Sequence, residues 1–309
     1  MEHTGQIKGQ FLRRWVSIRR RRYLSAYWMI APALVLYIIF VIYPIMQGVW
    51  LSLHLWDGFS DMKWVGLQNY RFVLADQVFW LAVRHTLLFA MVVTLVKNVL
   101  GMFLAILLNL SIRGQTFFRV SAFLPVTMAF VVIGVLWSWI YNPTFGLLND
   151  ILRAAGLGFL IRGWLSDTRL ALWSIMLVDI WKWTGFHTVL FLAGLQSIPS
   201  ILYDAAIIDG AGRWQRFTQI TLPLLKQVTA VSITLSFVGA LVSNYDLVYV
   251  MTGGGPYHST EVASTWIIST AFRFAALGKA SAMSFILFGL AFTIGVFQLA
   301  VMTRRRNEM

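Results

Sequence analysis

The chain has 309 residues, of which 59% are hydrophobic and only 12% are charged, and its mean hydropathy is +0.72. Average soluble domains are roughly one quarter charged, so this composition excludes a water-soluble globular protein and indicates an integral membrane protein. The absence of cysteine also excludes a disulfide framework and a thiolate metal site.

The net charge of +13 is distributed as membrane topology signals are, which argues against nucleic-acid binding. Basic residues gather in a segment over 1–26, in short connectors and in a tail over 304–309. Lys and Arg beside membrane spans stay on the cytoplasmic side. The segment over 1–26 is interpreted either as an amphipathic helix on the inner leaflet or as a solvated basic tail. The lipid bilayer is therefore an expected partner and nucleic acid is not.

Six long apolar runs predict an all-α integral membrane protein with six transmembrane helices, because each span needs about 20 mostly apolar residues. The runs cover residues 28–53, 82–110, 120–141, 170–195, 228–250 and 280–302. Pro44 is expected to kink the first helix, and a short helix is expected over 262–275. We assign the membrane domain to residues 27–303.

The charge of the connectors predicts that both termini are cytoplasmic. With the N-terminus inside, 15 Lys and Arg residues fall on the inner side and six on the outer side, or eight if Arg84 and Arg169 at the span ends are included. Lys and Arg favour the inner side. Most of this bias comes from the segment over 1–26, and the inner connectors agree with it.

Known catalytic and nucleotide-binding motifs are absent from the sequence. The chain has no HExxH, GxSxG or GxxxxGK[ST] pattern, and its five histidines lack metal-ligand spacing. We therefore expect no cofactor, no metal and no catalytic residue in this chain. If ATP drives the protein, another subunit binds it.

Polar residues inside the apolar runs are the candidates for a solute pathway. Asp179 and Lys182 share one face of the fourth predicted span, and buried charges in a membrane normally face a cavity or the bundle interior. They are interpreted either as an internal ion pair or as a polar wall of a pathway. Aromatic residues beside them, Trp183 and Phe186, suit the apolar faces of sugar rings.

Three further polar residues inside the spans are open to more than one interpretation. Lys97 in the second span is interpreted as an interfacial or buried structural residue. Ser243 and Asn244 in the fifth span are either polar groups of a cavity or partners in helix–helix hydrogen bonds.

A polar segment over 196–226 separates two apolar runs and is predicted to be an exposed, structured element. Two short helices joined by Gly210 and Gly212 are expected there, because glycine permits the tight turn between them. An exposed, ordered segment of a membrane protein is expected to contact a partner.

The 196–226 segment resembles the EAA loop of permease subunits of bacterial ABC importers. The resemblance rests on Asp204-Ala205-Ala206, Asp209-Gly210-Ala211, Phe217, Ile220 and Leu222-Pro223. It implies a type I importer permease fold in which this loop forms coupling helices that dock on an ATPase subunit. Asp204 stands where the family usually has Glu, and Lys226-Gln227 replaces a common later proline. The implied coupling residues are Tyr203, Asp204, Ala205, Ala206, Asp209, Gly210, Ala211, Arg213, Phe217, Leu222 and Pro223.

Other motifs resemble the carbohydrate branch of this family, in the manner of maltose and glycerol-phosphate permeases. They are Val65-Gly66-Leu67-Gln68-Asn69-Tyr70, Phe145-Gly146-Leu147-Leu148-Asn149, Trp164-Leu165, and Tyr245-Asp246 before Thr252-Gly253-Gly254-Gly255-Pro256. The resemblance places solute contacts at Asp179, Lys182, Trp183, Phe186, Gly239, Val242 and Ser243, and we add Asn244 as a neighbouring candidate. Residue types at these positions differ from those of the maltose permease.

The resemblance also implies the rest of an importer in a bacterial inner membrane. Its expected partners are a second, similar permease, two ATPase subunits that bind ATP and Mg, and an extracytoplasmic solute-binding protein that delivers a sugar. Alternative hypotheses are a permease of the same type for a non-sugar solute and a membrane-embedded enzyme using Asp179 with His187. A proton-coupled transporter using Asp179 with Lys182 is a further alternative.

Overall fold

The computed structural model describes residues 28–110, 113–242 and 244–304. The predicted N-terminal segment over 1–26, Ser243 and residues 305–309 of the predicted tail over 304–309 lie outside the described residues. The regular secondary structure of the described chain is helical apart from a short antiparallel hairpin in which His54 pairs with Trp64. This agrees with the all-α prediction.

The first half of the chain forms a long helix, a hairpin and a second long helix, followed by shorter helices. The elements are α1 (Trp28–Ser52), β1 (His54–Leu55), β2 (Lys63–Trp64), α2 (Gln68–Ala75), α3 (Gln77–Leu108), α4 (Gln115–Thr127), α5 (Phe130–Ile140) and α6 (Leu147–Ala154). Helix α1 contains a π-helical turn, Ile38–Ile42, directly before Tyr43-Pro44. This distortion lies where a proline ring crowds the carbonyl four residues earlier.

The second half alternates long helices with short ones. The elements are α7 (Ala171–Gln196), α8 (Ser200–Ile208), α9 (Arg213–Leu224), α10 (Lys226–Val242), α11 (Tyr245–Met251), α12 (Ala263–Ile268) and α13 (Leu277–Arg304). A π-helical turn, Ser269–Arg273, follows α12. The short helix predicted over 262–275 is therefore present.

Four helices among the described residues are long and apolar enough to cross a membrane without interruption, namely α1, α3, α7 and the part of α13 over 277–298. Two bent pairs, α4 with α5 and α9 with α10, bring the number to six if each pair is one span. The chain is thus a multi-pass membrane protein.

Two of the predicted spans are interrupted, which the sequence analysis did not anticipate. The run over 120–141 is broken between α4 and α5 by a bend of 101°, because Met128 and Ala129 adopt extended backbone angles. In the run over 228–250, helix α10 ends at Val242 and α11 begins at Tyr245. Apolar composition continues through the first break, so hydropathy alone predicts an unbroken helix there. The second break lies at the polar pair Ser243-Asn244, but the residues on either side are apolar enough for the run to be predicted as one helix.

The core lies where α3 packs against α7 and α10. Its central cluster includes Phe89 and Val93 of α3, Ile175 of α7 and Val248 of α11. Gly101 lets α3 approach α7 closely, since a Cβ atom at that position would lie 2.8 Å from the Cβ of His187. Small residues permit such approaches between transmembrane helices. Polar side chains of α3 and α7 can therefore meet between the two backbones.

Candidate functional site

A cavity of about 140 Å³ lies between α3, α7 and α10 and is the candidate solute site. Its lining combines charged, hydroxyl, imidazole and aromatic groups. The lining residues are Lys97, Asp179, Trp183, Phe186, His187, Leu235, Ser236, Gly239 and Ala240. Aromatic faces beside a few hydrogen-bonding groups are typical of small-molecule sites.

An ion pair between Lys97 and Asp179 forms the polar part of this cavity. The Lys97 Nζ donates to Asp179 Oδ2 over 2.8 Å, and the two side chains are only 4% and 8% exposed. The pair joins α3 to α7. Each charge compensates the other, since an isolated charge at this depth is expensive.

Lys182 does not contribute to this cavity, although it was predicted as a solute residue. Its Nζ donates to the backbone carbonyls of Pro125 (3.2 Å), Val126 (3.2 Å) and Met128 (2.6 Å). These carbonyls lie at the end of α4, where a helix leaves acceptors unsatisfied and carries partial negative charge. The interpretation of Asp179 and Lys182 as a mutual ion pair is wrong, because Asp179 binds Lys97.

The other predicted solute residues divide between the cavity and other environments. Trp183, Phe186 and Gly239 line the cavity with Asp179. Val242 is 68% exposed and is not part of the lining. Asn244 is buried and its Oδ1 accepts a hydrogen bond from Ser264 over 2.9 Å. Asn244 thus takes the helix–helix role, and Ser243 lies outside the described residues.

The cavity also contains polar groups that sequence reasoning did not assign to a solute site. They are Lys97, His187 and Ser236. A lysine inside a predicted span needs an anionic partner, so a pairing of Lys97 with Asp179 was the available signal. For His187 the signal was its position on the same helix face as Asp179. For Ser236 no signal existed, because its approach to α7 depends on how α7 and α10 pack.

A larger depression of about 410 Å³ lies between the same helices and differs in chemistry. It is lined by Met91, Thr94, Leu95, Asn98, Val99, Met102, Phe191, Thr229, Ile233 and Phe237. Its exposed walls are almost entirely apolar, so it offers a polar solute few hydrogen bonds. The smaller cavity is the better solute site.

The 196–226 segment forms the predicted pair of short helices, α8 and α9, on the exposed end of α7. Gly210 makes the turn with a φ of +76°, and the Gly212 N–H donates to Gln215 Oε1 over 2.8 Å at the start of α9. The Tyr203 hydroxyl and Thr221 Oγ1 form a 2.9 Å hydrogen bond that ties α8 to α9. The segment is therefore a defined hairpin of helices.

The surface of this hairpin combines exposed apolar and acidic side chains. Ile208 is 86% exposed and Trp214 is 74% exposed. Asp204 and Asp209 are exposed as well and form no ion pair within the described part of the chain. A surface of this composition is typical of a contact with another protein.

The comparison with known families identifies the chain. The family described as "Binding-protein-dependent transport system inner membrane component" matches residues 97–307. The chain belongs to this permease family. It is therefore the transport subunit of an ABC importer and not an enzyme.

Similar proteins cover nearly the whole permease. It is 37% identical to the trehalose/maltose transport system permease protein MalF of Thermococcus litoralis, over 94% of this chain and 97% of that protein. It is 36% identical to the probable ABC transporter permease protein YurN of Bacillus subtilis, over 91% and 97% of the two chains. A solved bacterial ABC transporter involved in the import of the acidic polysaccharide alginate matches with a TM-score of 0.81 and 25% identity, over 94% of this chain and 99% of that chain.

Asp179 and His187, the residues of the alternative enzymatic site, are each bonded to a different partner. His187 Nδ1 is bonded to Ser232 Oγ at 2.7 Å, and Asp179 is bonded to Lys97. Ser232 is fully buried and is not one of the residues that line the cavity, so its hydroxyl does not face the candidate solute site. The confirmed prediction is the importer permease.

Proposed function

We propose that this permease carries a carbohydrate across the inner membrane of a bacterium in an ATP-driven importer. It pairs with a second permease, two ATPase subunits and an extracytoplasmic solute-binding protein that delivers the sugar. The proposed topology has six spans, with each bent pair counted as one, which puts both termini on the same side; the excess of Lys and Arg in the inner segments supports the cytoplasmic side. An oligosaccharide or a related polyol is the proposed solute.

One observation carries this proposal: α7 bears the cavity residues and runs directly into the 196–226 segment. Phe186 precedes the helix end at Gln196 by ten residues, which is about 15 Å along a helix. Movement of α8 and α9 is transmitted to the cavity through this rigid helix. The 196–226 segment is therefore the coupling element between ATP hydrolysis and solute movement.

The chemistry of the cavity supports a sugar as the solute. Trp183 and Phe186 offer aromatic faces, and the Lys97–Asp179 pair offers a donor and an acceptor side by side. Sugar rings present apolar C–H faces and hydroxyl rims that match these two kinds of wall. The similarity to the trehalose/maltose permease MalF supports the same class of solute.

The exposed surface of the 196–226 segment supports docking of an ATPase. Tyr203, Asp204, Ala205, Ala206, Asp209, Gly210, Ala211, Arg213, Phe217, Leu222 and Pro223 are proposed to form or shape this contact. ATP and Mg are bound by the ATPase, because this sequence lacks a nucleotide-binding motif. ATP-driven closure of the ATPases moves the segment and switches the spans from inward-facing to outward-facing, and solute binds the two states differently.

The proposal is tested with the permease and its partners reconstituted in proteoliposomes. We expect ATP-dependent uptake of trehalose, maltose or a longer oligosaccharide, and none with the isolated chain. Deletion of 210–212 removes the turn of the coupling segment and is expected to abolish uptake and co-purification of the ATPase. Deletion of 156–158, another exposed glycine-containing turn, is the control and is expected to preserve ATPase binding. ATPase binding that survives deletion of 210–212 contradicts the proposal.

A further inference from the structure

The Lys97–Asp179 pair has hydrogen-bonding capacity that the described part of the chain does not use. Its 2.8 Å bond occupies one ammonium hydrogen of Lys97 and the Oδ2 atom of Asp179. A lysine ammonium has three donors and a carboxylate accepts at both oxygens. Two N–H groups of Lys97 and Oδ1 of Asp179 therefore have no hydrogen-bond partner among the described residues.

Lys182, the other lysine buried in a long helix, has no such unused capacity. The Lys182 ammonium makes three hydrogen bonds to backbone carbonyls and has no donor left. Ser236 adds to the unused groups of the cavity, because its hydroxyl is buried, lines the same space and has no hydrogen-bond partner among the described residues. Buried polar groups are nearly always hydrogen-bonded, so these groups indicate a polar ligand.

We infer that Lys97 and Asp179 together bind two neighbouring hydroxyl groups of a sugar ring, with Lys97 as a specificity-determining residue contributed by α3. One hydroxyl donates to Asp179 and the adjacent hydroxyl accepts from Lys97. This inference rests on the proposed carbohydrate import and adds Lys97 to the solute residues. Trp183 and Phe186 contact the apolar face of the same ring.

The charge and size of the site define the solute further. The two charges compensate each other, so an uncharged diol binds without leaving an unpaired charge in the membrane. The cavity of about 140 Å³ is smaller than the roughly 300–1,000 Å³ of pockets that enclose drug-sized ligands. It therefore accepts one sugar ring at a time and reads neighbouring hydroxyls on that ring.

The rival explanation is that the pair only fastens α3 to α7. The double variant Lys97→Met/Asp179→Leu separates the two roles, because a buried ion pair can often be replaced by apolar residues without loss of stability. If the pair is structural, this variant transports normally. If the pair binds sugar, the variant assembles with its partners and loses uptake of trehalose or maltose by about tenfold or more, since hydrogen bonds to charged groups are lost.

A second ion pair in the same chain provides the matched control. Lys279 Nζ lies 2.8 Å from Asp76 Oδ2 and joins the start of α13 to the start of α3, outside the cavity. Lys279→Met/Asp76→Asn removes this pair and keeps a side chain that caps α3, since Asn caps as well as Asp does. Uptake by this variant is expected to stay within about twofold of wild type, as for other partly exposed pairs. An equal loss in both double variants would overturn the inference.

Sugar analogues test the hydroxyl recognition itself. Wild type is expected to transport a disaccharide faster than its deoxy analogue that lacks one of two neighbouring hydroxyls. The milder variant Lys97→Gln/Asp179→Asn is expected to lower the ratio of the uptake rate of the disaccharide to that of its deoxy analogue. The binding protein is the same in both measurements, so its own preference cancels. This variant also decides the question if the Met/Leu variant fails to assemble, because an unchanged ratio with normal uptake overturns the inference.

The failure of the inference is distinguishable from the failure of the proposed function. If wild type takes up no sugar, the proposed carbohydrate import is wrong, and so is the proposed binding of sugar hydroxyls by Lys97 and Asp179. The other outcome is that wild type takes up sugar while both double variants of the Lys97–Asp179 pair transport it normally, with the wild-type ratio of disaccharide to deoxy-analogue uptake. In that case only the proposed binding of sugar hydroxyls by Lys97 and Asp179 is wrong.

Discussion

Lys97 and Lys182 are both buried in helices long enough to cross a membrane, and their ammonium groups are satisfied in different ways. Lys97 pairs with Asp179 beside the cavity. Lys182 binds carbonyls at the end of α4, where Gly185 lets α7 approach so closely that a Cβ at this position would clash with the carbonyl oxygen of Ala122. Lys97 is therefore suited to binding solute, and Lys182 is suited to stabilising the bend between α4 and α5.

We predict that Lys182→Met lowers the thermal stability of the permease and leaves the KM for solute near that of wild type. The substitution leaves carbonyls of Pro125, Val126 and Met128 without their donor, which costs about 1–3 kcal/mol. Unfolding in detergent measures the stability, and uptake in proteoliposomes measures KM. A changed KM with wild-type stability would return Lys182 to the solute site.

Trp183→Ala is the matched control for this prediction, because Trp183 is the next residue and lines the cavity. It is expected to impair uptake and solute-stimulated ATPase activity while the transporter still assembles. The different environments of these two adjacent residues show why the sequence located the solute face only in part. Helical spacing places side chains on one helix, but the partner of Asp179 lies 82 residues away and depends on tertiary packing.

The coupling hairpin is an element whose form the sequence predicted well. Short-range signals define it, since Gly210 at φ +76° makes the turn and Pro199 precedes α8. The bend between α4 and α5 was not predicted, because it is stabilised by Lys182 from another helix. Local signals were therefore sufficient for α8 and α9, and insufficient where a distant residue completes the structure.

We predict that Tyr203→Phe weakens the binding of the ATPase to the permease. The hydroxyl of Tyr203 bonds Thr221 at 2.9 Å and fixes α8 against α9, and a hydrogen bond of this kind contributes about 0.5–1.5 kcal/mol. The dissociation constant is therefore expected to rise about two- to tenfold, as measured by titration of purified ATPase onto permease in proteoliposomes.

Tyr249→Phe controls for the removal of a tyrosine hydroxyl. Tyr249 is 59% exposed and stacks on Tyr245, and its hydroxyl has no hydrogen bond within the described residues. The dissociation constant of the ATPase should not change in this variant. Equal affinities of the Tyr203→Phe permease and wild type would show that docking does not depend on the tie between α8 and α9.

At the scale of the whole molecule, the number of membrane crossings depends on the two bent pairs. Composition predicts six apolar runs because hydropathy does not register a change in backbone direction. The structure has four unbroken long helices among its described residues and two bent pairs that are each one span or a re-entrant loop. The proposed topology with both termini inside requires each bent pair to cross the membrane.

Single cysteines test this topology directly, because the natural chain contains none. Ile208 and Tyr257 flank the pair α9 with α10 and are 86% and 93% exposed, so cysteine is tolerated and reachable at both positions. If the pair crosses the membrane, a membrane-impermeant maleimide labels Tyr257→Cys from the outer face and Ile208→Cys only in inverted vesicles.

The pair α4 with α5 is tested in the same way with Leu110→Cys and Thr144→Cys, both of which replace exposed residues. The ATPase is left out of these membranes, because it is expected to shield the coupling segment. Labelling from one face at both positions of a pair would make that pair a re-entrant loop. In that case the count falls below six, and a single re-entrant pair places the two termini on opposite sides. If the two cysteines that flank each pair are labelled from opposite faces, the chain crosses the membrane six times. The proposed topology further requires the cysteines at positions 208 and 110 to be labelled from the cytoplasmic face.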